Sequence, residues 1–134
     1  MCQSIADPDL AGKRVLIVED AVDIVQALAL LLEDAGHAVT VAHNGPDALV
    51  KAREWDPEVI LMDIGLPGID GYEVARQLRN NPRMQTKTLV AITGYGHESD
   101  RQLAFEAGFN RHFTKPVDVD ALNAFIRSPG TDPA

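Results

Sequence analysis

Cysteine, basic side chains and long apolar runs are all scarce in this chain of 134 residues, and each shortage closes off a class of protein. Cys2 is the only cysteine, so no disulfide forms within the chain, and this usage suits a reducing compartment. Lysine and arginine number 12 against 20 acids, a net charge of −8. Affinity for nucleic-acid backbones comes from clustered bases. There is neither a basic stripe nor a helix-turn-helix segment, so no nucleic-acid partner is expected. No apolar stretch approaches the roughly 20 residues that span a bilayer. The opening MCQSIADPDLAGKR is polar and acidic, unlike a secretory leader. These absences lead us to expect a cytoplasmic chain with no membrane contact. No internal repeat, low-complexity tract or interdomain linker interrupts it, and the length suits one domain with a sizeable core. The expected division is a polar tail over residues 1–13, a domain over 14–127 and a second tail over 128–134.

What is present is an alternation of short apolar runs with longer stretches of helical periodicity. Residues 15–18 read as a first strand. Ile24, Val25, Leu28, Leu31, Leu32 and Ala35 then share one helical face, which Gly36 ends. A short strand over 38–42 precedes Asn44-Gly45-Pro46, a helix start that tolerates proline in its first turn. That helix carries Ala48, Leu49, Ala52 and Trp55. Asp56-Pro57 breaks the chain before a continuous apolar strand over 59–62 and a loop with Gly65, Pro67, Gly68 and Gly71. Tyr72, Val74, Ala75 and Leu78 mark the next helix, stopped by Asn80-Asn81-Pro82. A strand over 89–92, a helix with Leu103, Ala104 and Ala107 ending at Gly108, a strand over 111–114 and a helix over 117–126 complete the pattern. Five β-α units predict a doubly wound α/β fold with a parallel sheet covered on both faces. The near-continuous apolar strands fit burial on both sides. Right-handed crossovers leave few arrangements, of which the order 2-1-3-4-5 is the common one.

In that order, polar residues of one chemical kind collect along a single sheet edge. Glu19 and Asp20 close VLIVED, Asp63 closes VILMD, Thr93 closes LVAIT, and Lys115 follows HFT. Open α/β sheets bind ligands at this edge, at the switch point between strands one and three. Crowded carboxylates repel one another unless a cation neutralises them. Hard oxygen ligands select Mg²⁺, which takes one or two carboxylates, keeps waters and shares a phosphate. Asp63 is the candidate nucleophile, since a carboxylate can attack a phosphoryl group to give an acyl phosphate. Thr93 would donate its hydroxyl to that group, with Gly94 leaving room, and Lys115 would supply a fixed positive charge. Pro116 is a candidate for a cis peptide bond that aims Lys115, although only about 5–6% of X–Pro bonds are cis. Each residue taken singly also has an ordinary reading, as a solvated acid or a turn residue. The inventory and its order carry the argument.

VLIVEDA, VILMDIGLPGIDGYEVARQLR, LVAITGYG and EAGFNRHFTKPVD together resemble the receiver domain of two-component response regulators, over residues 14–126. The resemblance implies a flavodoxin-like (βα)5 fold and phosphorylation of Asp63 by a histidine kinase or phosphotransfer protein. It further implies Mg²⁺ held by Asp20, Asp63 and the Gly65 carbonyl, with Glu19 acting through water. Thr93 and Lys115 match the hydroxyl and the lysine of that family. Such a domain catalyses only its own phosphorylation and dephosphorylation, and it switches a surface around residues 98–126 for a downstream partner. Its TGYG and EAGFNRHFTKPVD segments look more like receivers fused to hybrid sensor kinases than like those of DNA-binding regulators. One position departs from the pattern. Three residues before the lysine, where the family often has Tyr or Phe, stands His112, for which a switching role and a passive one are both open. Two residues past the Asp and the Thr stand Gly65, which shields nothing from hydrolytic water, and Tyr95, which has the bulk to do so.

Three alternatives compete. A receiver-like fold without phosphorylation would serve only for docking. A haloacid-dehalogenase-type phosphohydrolase would need a second Asp and a Thr after Asp63, which Ile64-Gly65-Leu66-Pro67 lacks. A flavin binder would need a Ser/Thr-rich loop after strand one, where Glu19 and Asp20 would repel the phosphate. His37, His43 and His97 have no metal partner at useful spacing. Phe105, Phe109, Phe113 and Phe125 read as core or its rim.

Overall fold

In a computed structural model, the residues described are 12–64, 71–93, 98–114 and 117–127. Elements alternate along the chain: β1 (Arg14–Val18), α1 (Val22–Asp34), β2 (Ala38–Ala42), α2 (Gly45–Trp55), β3 (Val59–Asp63) and α3 (Gly71–Arg79). After a 3-10 turn (Pro82–Met84) come β4 (Thr88–Thr93), α4 (Glu98–Ala107), β5 (Arg111–Thr114) and α5 (Val119–Arg127). The strands form one five-stranded sheet in the order β2-β1-β3-β4-β5, and every neighbouring pair is parallel. This is the doubly wound arrangement expected from the alternation, and the flavodoxin-like fold that the resemblance implies.

Strand periodicity divides the core in two, because successive side chains leave a strand on opposite faces. Leu16, Val18, Ile60, Met62, Leu89 and Ala91 face one way and pack with Ala48, Ala52, Val74, Ala75, Leu78, Ala104 and Ala107. Val15, Ile17, Val59, Leu61, Val90, Ile92 and Phe113 face the other and pack with Val25, Leu28, Leu32, Leu122, Phe125 and Ile126. Helices α2, α3 and α4 therefore cover one face, and α1 and α5 the other. Burying a Leu, Ile or Val side chain contributes about 1.5–3 kcal/mol, so these two layers dominate stability.

Local signals set most boundaries. Asn44 caps α2 by accepting from the Asp47 amide at 2.8 Å, and Pro46 sits in the first turn. Gly36 (φ +101°) and Gly108 (φ +113°) take left-handed conformations at the ends of α1 and α4. The last helix begins at Val119 rather than 117, because the Asp118 carboxylate accepts from the Ala121 amide at 3.2 Å and caps it there. Three apolar positions are more exposed than their periodicity suggested. Ile24 and Leu31 are 46% and 50% exposed, since α1 carries more aliphatics than one stripe can bury and Val25, Leu28 and Leu32 take the inner positions. Phe105 lies on the outer face of α4 at 74% exposure, outside the core and its rim, while Ala104 and Ala107 face inward.

Candidate functional site

The carboxyl-terminal ends of β1 and β3 lie side by side, with Val18 opposite Met62, so the residues that follow them meet. Glu19 extends the pairing by one step, its amide donating to the Ala42 carbonyl at 3.0 Å. His43 Nδ1 stands 3.3 Å from the Glu19 carbonyl oxygen. The Glu19 carboxylate turns back to accept from the Ala21 amide at 3.3 Å, over the start of α1, and is buried at 5% exposure. Asp20 is exposed and Asp63 half-buried. One ligand oxygen from each of Glu19, Asp20 and Asp63 can be chosen so that all lie within 4.8 Å of one another. Three hard oxygen donors at that spacing fit a small divalent cation that retains some water.

The chain leaves Asp63 under tight constraint. The Ile64 amide donates to the Ile92 carbonyl at 3.1 Å, and the Gly71 amide returns to donate to the Ile64 carbonyl at 3.4 Å. A Cβ on Gly71 would stand 2.9 Å from the Ile64 Cα, so α3 starts against the end of β3 only because the residue is glycine. Asp63 pairs with Ile92, and Thr93 pairs with Thr114, the last residue of β5. Thr93 thus reaches the same sheet edge as the acids, and Lys115 follows the strand that pairs with it. His112 is half-buried in β5 opposite Ala91. Gly65, Gly94, Tyr95, Lys115 and Pro116, also expected at this edge, lie outside the described residues.

Several residues escaped the sequence reading. A cavity of about 530 Å³ opens on the α1–α5 side and reaches Glu19 and Asp63, with Ile24, Leu28, Leu31, Val117 and Val119 among its lining residues. The excess of aliphatics on α1 was the signal that could have found it. Arg79, at the end of α3, donates to the carbonyls of Gly108, Met84, Gln85 and Lys87 and to Asn110 Oδ1. Partial burial lowers the pKa of its guanidinium from the usual value. Asp56, in the left-handed region at φ 54°, gathers Lys87 at 3.2 Å with Arg83 and Arg14 farther off. The hydrogen bond and charge of Lys87, helped by the two arginines, hold its carboxyl below the usual carboxylate range. Both clusters lie among chain connections away from the acids and read as scaffold.

The family model for the response regulator receiver domain matches residues 15–127. Protein PilH of Pseudomonas aeruginosa is 36% identical over 109 residues, covering 81% of this chain and 90% of that one. An uncharacterised 14.6 kDa protein of Leptolyngbya boryana, encoded in the sodA1 3′ region, is 39% identical over 81% of this chain and 83% of its own. Among solved structures, the receiver domain of the Pseudomonas aeruginosa sensor histidine kinase PA1611 superposes with a TM-score of 0.81 at 30% identity. That match covers 90% of this chain and all of the other, whose active-site cleft coordinates a magnesium ion. Among the described residues, no helix is long and apolar enough to cross a membrane.

Proposed function

The chain belongs to the response regulator receiver domains, and on that premise we propose that it is a Mg²⁺-dependent phosphoacceptor switch with Asp63 as the acceptor. The observation that carries the reading is the convergence of Glu19, Asp20 and Asp63 at the crevice between β1 and β3. The donor is a phosphohistidine of a histidine kinase or phosphotransfer protein. An Asp63 carboxylate oxygen forms the new O–P bond as the donor's N–P bond breaks, and the electron pair leaves with the imidazole nitrogen. A bound Mg²⁺ supplies charge neutralisation at the phosphoryl oxygens. Asp20, Asp63 and the Gly65 carbonyl would hold the ion, with Glu19 acting through water.

The other residues act on the product. Thr93 donates its hydroxyl to a phosphoryl oxygen, and the Lys115 ammonium balances the remaining charge. Gly94 leaves room beside that hydroxyl. Phosphorylation adds about −1.5 to −2 charges and strong acceptor oxygens at the ends of β3, β4 and β5. Closure of Thr93 and Lys115 on that group draws in their loops, His112 changes rotamer within β5, and the α4–β5–α5 surface is reshaped for a downstream protein. A near-complete switch requires phosphorylation to favour the active state by about 5.5 kcal/mol. Gly65 and Tyr95 set water access to the acyl phosphate and hence its lifetime.

Amide NMR with Mg²⁺ and beryllofluoride, which mimics the phosphoryl group, tests this reading. The expected result is saturable shifts at residues 19, 20, 63 and 93 and across 98–126, lost in Asp63→Asn and lost on chelation. Absence of a Mg²⁺-dependent response in the wild type would remove the phosphoacceptor reading and leave a docking module.

A further inference from the structure

The cavity on the α1–α5 side has a floor, two walls and an end of different chemistry. Its floor is the sheet, where Ile17, Leu61 and Ile92 line it and none exceeds 6% exposure. One wall is α1, whose Ile24, Leu28 and Leu31 recur at i, i+4 and i+7 and so share one flank of the helix. Val117 and Val119, at the start of α5, contribute the other. Among the described lining residues, only Glu19 and Asp63 have polar side chains, and they stand where β1 and β3 end. A volume of about 530 Å³ falls within the range of small-molecule sites, which are mostly apolar with a few placed polar groups. The aliphatic floor offers water none of the roughly two to four polar partners that a buried water needs.

We infer that this cavity is a binding site for a small amphiphilic cation, an alkylammonium whose aliphatic body lies between α1 and α5 and whose charged head faces Glu19 and Asp63. Shape selects a slender chain. The floor residues are nearly closed to solvent, so the space above them is narrow. A partner's α-helix is about 10–12 Å across, so it would rest on the rim against Ile24 and Leu31 and leave the floor unfilled. Charge selects the head. No lysine, arginine or histidine is among the described lining residues. The clustered carboxylates of Glu19, Asp20 and Asp63 outnumber Lys115, the one base expected at that edge. An anionic head would be repelled there, and a neutral one would forgo the attraction. Ile24 and Leu31 are 46% and 50% exposed, so an aliphatic body would also remove apolar surface from water. The inference rests on the cavity and the acids and not on phosphorylation. An occupant seated this way would hold a cation where Mg²⁺ is proposed to bind, and so would oppose phosphoryl transfer to Asp63.

The test is titration of the full chain with n-octylammonium chloride, followed by amide NMR in EDTA with no phosphoryl donor. Its result therefore stands whether or not Asp63 accepts a phosphoryl group. 1-Octanol and octanoate serve as probes with the same chain length, one without charge and one with the opposite charge. The expected result is saturable shifts at residues 17, 24, 28, 31, 61 and 119. Octylammonium should bind about tenfold or more tightly than 1-octanol, with octanoate weakest. Asp63→Asn should narrow that preference for the cation. Leu31→Ala places a good helix former at a half-exposed position and cuts back the wall, so it should weaken octylammonium and 1-octanol alike. Phe105→Ala, which removes an exposed aromatic on α4 at the other face of the sheet, should leave binding unchanged. Absence of saturable shifts, equal affinity for the three probes, or loss of binding in Phe105→Ala would each overturn the inference. Self-association through residues 24–31 that excludes octylammonium would also overturn it, by assigning the cavity to a second copy of this chain.

Discussion

Replacing Asp20 by Asn should stabilise the metal-free protein and abolish its response to Mg²⁺. The carboxylates of Glu19, Asp20 and Asp63 present oxygens no more than 4.8 Å apart. At that separation two unit charges repel by roughly 0.9 kcal/mol in a dielectric of water and roughly 3.5 kcal/mol at an effective constant of 20. Asp20 is exposed, so the lower figure governs, and salt screens it further. Two such repulsions disappear in Asp20→Asn, which gives a gain of about 1–2 kcal/mol in EDTA, or roughly 3–8 °C in Tm at this chain length. Wild type should instead gain about 2.7 kcal/mol when Mg²⁺ is at a hundred times its Kd, and the variant should gain far less. The order of stability therefore inverts with the metal. Thermal and urea unfolding in EDTA and in Mg²⁺ would measure it, with Glu54→Gln on exposed α2 as a control for the overall charge of −8. A variant no more stable than wild type in EDTA, or one that matches the gain of Glu54→Gln, would refute the local repulsion on which the metal argument stands.

Three further outcomes follow from the geometry. Arg79→Met should cost about 2–4 kcal/mol in urea unfolding, because the carbonyls of Gly108, Met84 and Lys87 and the Asn110 side chain lose one shared donor. An unchanged midpoint would show that water replaces the guanidinium. Asp56→Asn keeps a residue that tolerates φ 54° but removes the charge facing Lys87, so it should destabilise at pH 7. The Asp56 carboxyl is held below its unfolded value, so its contribution is present above that value and is lost as pH falls through the folded one. The gap between variant and wild type should therefore close below about pH 4, and a constant gap would contradict this assignment. Gly71→Ala sets a Cβ against the Ile64 backbone beside Asp63, so it should cost about 1–3 kcal/mol and slow phosphorylation as well. Unchanged stability with normal phosphorylation would show that the turn adapts.

The parallel sheet, its order and the division of its faces were legible because they rest on local periodicity. Apolar runs such as 15–18 and 59–62 announce strands buried on both sides, and Asn44, Gly36 and Pro46 mark helix ends within a few residues of where they act. The acid cluster was legible for a related reason, since residues at parallel strand ends are brought together by topology alone. Contacts between distant segments were not. His37 and Asn123 are 86 residues apart, and nothing near either identifies the other. Arg79 reads as an ordinary basic residue in a last helical turn, a favourable place for a cation, and its acceptors come from two later segments, 84–87 and 108–110. The exposure of Ile24, Leu31 and Phe105 was misread because periodicity gives a face and not its partner.

The central claim is that Asp63 accepts a phosphoryl group with the help of the acid pair, and intact-mass spectrometry after incubation with Mg²⁺ and acetyl phosphate tests it most directly. Wild type should gain the mass of one phosphoryl group, while Asp63→Asn and wild type in EDTA should gain none. An unmodified wild type, or an adduct of equal yield on Asp63→Asn, would contradict the account.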